Sequence, residues 1–148
     1  MYLPYYIATG GAPQGYYTAV NGAMRAWYDS PTRVWPYPSN YQTSVVDFYI
    51  TSTTETWWGL TVNYPCSGVG CSYSYANVYL NRRTMDPETI FQSQEIVAHE
   101  VGHAMGLSHV CGQASCPPGS ATTLMQWGRL LYNVPQNHDI NDINAMYP

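Results

Sequence analysis

Residues 98–110 read AHEVGHAMGLSHV and hold three of the chain's four histidines, His99, His103 and His109, with Glu100 beside the first. Residues four apart on a helix share a face, so His99 and His103 project together and offer ring nitrogens to one ion. Glu100 is too close in sequence to His99 to be a comfortable ligand for that ion, but it can hold a water bound there. Gly106 lets the helix end in a left-handed turn, so that the chain reverses and His109 brings a third nitrogen. Three protein ligands leave a fourth position open, as catalytic zinc sites do and structural ones do not. Such an ion lowers the pKa of its water to about 7 and polarises a carbonyl. Glu100 would take the water's proton and pass it to a leaving amine. That chemistry is peptide hydrolysis without a covalent intermediate.

Several elements must place these groups. Leu3–Ile7 reads as a first strand, ended by Gly10, Gly11 and Pro13. Tyr16, Ala19, Val20, Ala23, Met24 and Trp27 recur at helical spacing, and the helix stops near Asp29-Ser30-Pro31 because the residue before proline resists helical geometry. Val45–Ile50, Trp57–Tyr64 and Tyr73–Leu80 read as strands. Asp86-Pro87 predicts a helix start, an acceptor at the cap and proline in the first turn, with the helix running to about Leu107. Loop-like sequence follows to about Asn137, then a short helix over Asp139–Met146.

Composition narrows the setting. At 148 residues the chain is long enough to bury a core and is expected to be one domain. Five basic residues, all arginine, stand against nine acids for a net charge of −4, which argues against a nucleic-acid surface. No apolar run is long enough to span a membrane. The start lacks a basic region followed by an apolar one, so any leader or pro-segment is expected outside this chain. Fifteen tyrosines and five tryptophans suit a β-rich secreted domain, and also an aromatic cleft. Cys66 and Cys71 form one close pair, Cys111 and Cys116 another. The spacing differs from that of zinc knuckles and predicts two local disulfides and an oxidising compartment; four reduced buried thiols are the alternative.

HEVGHAMGLSH resembles the signature of the metzincin zinc endopeptidases. In that family a methionine turn follows, and TTLMQWG supplies Met125, which the resemblance makes a hydrophobic floor beneath the zinc. YYIATGGAPQGYYTAVNGAMRAWYDSP and VVDFYI resemble the opening elements of matrixins. ANVYLN resembles the edge strand of matrixins and of snapalysins, and NHDINDINAMYP the matrixin terminal helix. His109 stands where snapalysins carry aspartate. His138 replaces the first of two matrixin aspartates, which leaves Asp139 to brace the methionine turn and puts a salt bridge to the chain start in doubt. Vertebrate matrixins use extra histidines for a second zinc; none precedes His99, so one catalytic zinc is expected. No dense carboxylate loop supports calcium, which is left open. Trp127 stands where astacins and serralysins carry a tyrosine ligand.

The resemblance implies an α+β metzincin-type zincin fold. A twisted mixed sheet and an active-site helix form an upper subdomain, about 1–108. An irregular lower subdomain, about 109–148, carries the methionine turn and terminal helix. A peptide or protein substrate is expected to pair with an edge strand at Ala76, Val78 and Leu80. Trp127, Leu130, Leu131 and Tyr132 would shape a pocket for a bulky apolar residue just after the cut. The protein is expected to be a secreted monomer. The rivals are an inactive metzincin scaffold that binds glycan or protein through its aromatics, and a site whose fourth position an outside segment fills. The intact Glu100 argues against a pure binder.

Overall fold

The computed structural model describes residues 1–8, 10–65, 74–110, 122–128 and 132–148. Alternating side chains sort its strands into two faces. The strands are β1 (Tyr2–Ile7), β2 (Trp35–Pro38), β3 (Val46–Thr51), β4 (Gly59–Tyr64) and β5 (Tyr75–Asn81). They form one mixed sheet in the order β2-β1-β3-β5-β4, parallel throughout except for antiparallel β4. Leu3, Tyr5, Val46, Phe48, Ala76, Val78 and Leu80 fall on one face and are buried in the core. The other face carries tyrosines: Tyr49 and Tyr79 stack at 5.5 Å, and Tyr64 lies 5.5 Å from Tyr75. On that face Asp47 is fully buried, accepting hydrogen bonds from Tyr75 Oη (2.7 Å) and Ser44 Oγ (2.5 Å). Burial and the Asp47 carboxylate push the Tyr75 phenol upward. Much of the chain's tyrosine content is thus sheet surface.

The helices are α1 (Gln14–Asp29), α2 (Arg82–Met85), α3 (Ile90–Ala104) and α4 (Asn137–Met146). The six residues expected to form one face of α1, Tyr16 to Trp27, are its buried residues. α1 packs along α3, and Trp27 Nε1 donates to Ala98 O at 3.1 Å in the core. α4 buries Ile143 and is tied to the turn after α1, where Asn144 Nδ2 donates to Pro31 O at 3.0 Å.

Two expectations are corrected. The long helix does not start at Asp86-Pro87. Thr89 caps α3 in a reciprocal capping box with Gln92, while Asp86 closes α2 and accepts from Tyr16 Oη at 2.7 Å. Nor is β5 an edge strand. It lies between β3 and β4, and Ala76, Val78 and Leu80 are core residues at 0–1 % exposure, so they cannot touch a substrate. The outer position belongs to β4. The sequence pattern also missed β2, a proline-containing strand on the far edge.

Candidate metal centre and active-site cleft

The histidines are placed by how α3 ends. Met105 caps it, Gly106 takes φ 98°, and Leu107 N–H reaches back to Gly102 O (3.0 Å) while Gly106 N–H reaches His103 O (2.9 Å). This paired closure needs a residue that tolerates positive φ, which glycine does. The chain then doubles back and sets His109 against α3. The nearest nitrogens of His99, His103 and His109 all lie within 4.8 Å of one another.

Their hydrogen bonds decide what the cluster can hold. His99 Nδ1 faces Leu124 O at 2.5 Å and His103 Nδ1 faces Leu107 O at 2.8 Å. A carbonyl only accepts, so both rings carry their proton on Nδ1 and turn a bare Nε2 lone pair inward. His109 Nε2 sits 3.0 Å from one and 3.2 Å from the other. Its single proton could satisfy only one of them. A cation satisfies all three, and separations near 3 Å suit three nitrogens each about 2 Å from a common ion. Burial, aided by the neighbouring His103, pulls the His99 imidazole down to about 3, and burial lowers His103 and His109 as well. Neutral imidazole is the ligand form, so the donor set fits a zinc-type ion.

Met125, 2 % exposed, packs against the last turn of α3 between the two helical histidines. A Cβ built on Gly102 would come within 2.5 Å of Met125 Sδ, so the glycine inside HEVGH is what lets the methionine approach the helix. The Met125 segment is braced from both sides. Val110 N–H donates to Met125 O (3.0 Å), and buried Asp139 accepts from Leu124 N–H (2.9 Å), from Thr123 Oγ1 and from Gln136 N–H (2.8 Å). Asp139 therefore joins the first turn of α4 to the methionine turn. His138 instead pairs with Asp142 at 3.2 Å on the surface.

Glu100 is buried on the cleft side of α3. Burial raises its carboxyl to about 7, opposed by a hydrogen bond from Thr61 Oγ1 at 2.6 Å. The cleft, about 770 Å³, runs between α3 and β4 and on to the methionine turn. Trp127 lines it and meets His109 edge-on at 5.0 Å, whereas Tyr132 packs against the core and does not line it. The pocket expectation is corrected accordingly for Tyr132. Leu130, Leu131 and all four cysteines lie outside the described residues. Sequence reasoning passed over Gly59, Thr61 and Asn63, which β4 turns toward α3. Asn63 Nδ2 donates to His103 O at 2.8 Å. Their alternation within Trp57–Tyr64 was visible, but the partner was not.

A family model of M12B reprolysin-like metallopeptidases matches residues 59–135. The chain belongs to that family. The match runs from β4 past the methionine turn, the stretch that builds the site. No curated protein sequence matches. Among solved structures, high choriolytic enzyme 1, a hatching enzyme zinc-protease from the medaka fish Oryzias latipes, matches with 18% identity. The alignment covers 99% of this chain and 88% of that one at a TM-score of 0.58, a likeness of fold. This reprolysin-like chain is therefore a metallopeptidase with a metzincin fold, and its three-histidine group can bind zinc. The comparisons carry the metzincin assignment without singling out the matrixins or snapalysins.

Proposed function

We propose that this protein is a zinc-dependent endopeptidase in which His99, His103 and His109 hold the ion and Glu100 is the general base. One observation carries the reading: three inward nitrogens that a single proton cannot satisfy stand beside a buried carboxyl at the floor of an open cleft. Zinc held there supplies Lewis acidity, acidifying a water and polarising a carbonyl. The chain does the rest. Leu124 O and Leu107 O fix the tautomers of His99 and His103. Glu100, raised toward neutrality by burial, accepts a proton on its carboxylate and releases it to the departing amine. Trp127 flanks the His109 ring, and Met125 packs against Gly102, next to His103 on α3.

An extended substrate pairs its main chain with β4, the outer strand bordering the cleft. Trp127, with Trp58 and Ile96 also lining the cleft, favours a bulky apolar residue just after the cut. These 148 residues form one catalytic domain that acts outside the cell, with Cys66–Cys71 and Cys111–Cys116 as disulfides. The even cysteine count and close spacing support this. The test compares the protein with Glu100→Ala, both zinc-loaded, on denatured protein and a quenched peptide library with a chelator control. Expected are cleavage by the wild type, arrest by chelator, and a silent mutant that still binds one zinc. Binding of zinc by both with cleavage by neither would sink the enzyme reading in favour of a binding scaffold.

A further inference from the structure

β4 does more than border the cleft. Gly59, Thr61 and Asn63 alternate onto the side that meets α3, and two of them touch the Glu100 side chain. Thr61 Oγ1 lies 2.6 Å from Glu100 Oε2 and 3.0 Å from Glu100 O. A Cβ placed on Gly59 would fall 2.5 Å from Glu100 Cγ and 2.7 Å from Oε1. Gly59 is not among the positive-φ glycines, so its backbone does not require glycine. What requires it is room for the carboxyl. The strand itself is held firmly, because Gly59 pairs with Leu80 and Thr61 with Val78, both fully buried on β5.

We infer that Gly59 and Thr61 form a cradle that positions Glu100, so the strand that receives the substrate main chain also sets the place of the general base. The inference rests on the endopeptidase reading. Gly59 sets how close the carboxyl comes to the sheet, by presenting no side chain. Thr61 sets its rotation, by holding one oxygen with a short charge-assisted bond. Base and substrate are thereby measured from one rigid strand, and loss of either contact moves the base relative to the scissile bond without touching the histidines.

The experiment uses the zinc-loaded full chain with Gly59→Ala, Thr61→Val and Thr61→Ser, and Gly59→Ala combined with Glu100→Ala. Displacing the carboxyl by the added methyl is expected to lower kcat on the order of 100-fold with KM unchanged, since small misplacements of a reacting group cost that much. Thr61→Val is expected to lower kcat about tenfold, the loss of one bond to a charged group. Thr61→Ser keeps the hydroxyl and restores it. All variants keep one zinc. A second readout needs no turnover: Gly59→Ala lowers the Tm of the wild type but not of Glu100→Ala, where the methyl enters the space the carboxyl left. A Tm loss equal in both backgrounds, or a change confined to KM, overturns the cradle. A wild type that cleaves nothing overturns the endopeptidase reading itself, which the variants then cannot be blamed for.

Discussion

At the scale of single residues, the site is built as much by absent atoms as by present ones. Gly102 lies in the last turn of α3, where alanine would improve helix propensity by at most about 1 kcal/mol. Its missing Cβ is the space that Met125 Sδ occupies, and both residues are buried. Gly102→Ala is therefore expected to destabilise, against propensity, by about 1–3 kcal/mol, the usual cost of overpacking a filled core. Urea unfolding checks the sign, and a stabilised variant would show that Met125 moves aside freely. Asp139 is the complementary case of a group that must be present. It takes hydrogen bonds from two backbone N–H groups and a threonine, all buried or half-buried. Removing it leaves donors without partners, at about 1–3 kcal/mol for each group so stranded. Asp139→Ala is expected to lower stability by about 3 kcal/mol and to loosen the methionine turn, seen as faster amide exchange at Leu124.

At the scale of elements, local pattern was legible and long-range pairing was not. The apolar spacing of α1 gave its buried face residue for residue, and Gly106 announced the end of α3, because both depend on neighbours within a few positions. The site histidines were legible for the same reason. The start of α3 shows the limit. Asp86 and Thr89 are both plausible caps by type, but the Asp86 carboxylate is engaged by Tyr16, seventy residues away, and by Arg82, while Thr89 closes a capping box with Gln92. Thr89→Ala is thus expected to cost about 1 kcal/mol without altering zinc affinity, checked by unfolding and a metal titration. Asp86 behaves otherwise. The hydrogen bond from Tyr16 holds its carboxyl below the usual carboxylate range. A folded pKa below the unfolded one adds stability at neutral pH that is lost as pH falls through the folded value. The stability gap between wild type and Tyr16→Phe is expected to shrink below about pH 4, where an unfolded aspartate titrates. A gap constant from pH 7 to pH 2 would show that the bond is energetically silent. The exchange of β5 for β4 at the sheet edge has the same origin. Both segments read as strands, and only the pairing of β5 with β3 and β4 together puts its alternate residues in the core.

At the scale of the molecule, the three histidines bring together two stretches of the chain that are separate in sequence. His99 and His103 stand on α3, which packs against α1 and the sheet, and His99 Nδ1 meets Leu124 O; His109 follows the reversal and is tied through its neighbour Val110 to Met125. An ion held by all three would clamp the chain after the reversal onto α3, beside the Met125 segment that Asp139 links to α4. A ligand that binds only the folded state stabilises it by RT ln(1 + [L]/Kd), about 4 kcal/mol at a thousandfold excess over Kd. Tm is therefore expected to rise with the logarithm of free zinc and to fall on chelation. The loss should be uneven. Val97, Ala98 and Val101 keep their packing against the core without metal, so amides of α3 stay protected. Leu124 and Met125 share that core, but the backbone of their segment is also held by Asp139, by His99 at Leu124 O and by Val110 beside His109, so amides at 122–128 and in the first turn of α4 should exchange faster in the zinc-free protein. Hydrogen exchange with and without chelator separates the cases. Equal loosening of α3 and residues 122–128 would mean that the two segments open as one unit and that the ion does not hold one to the other.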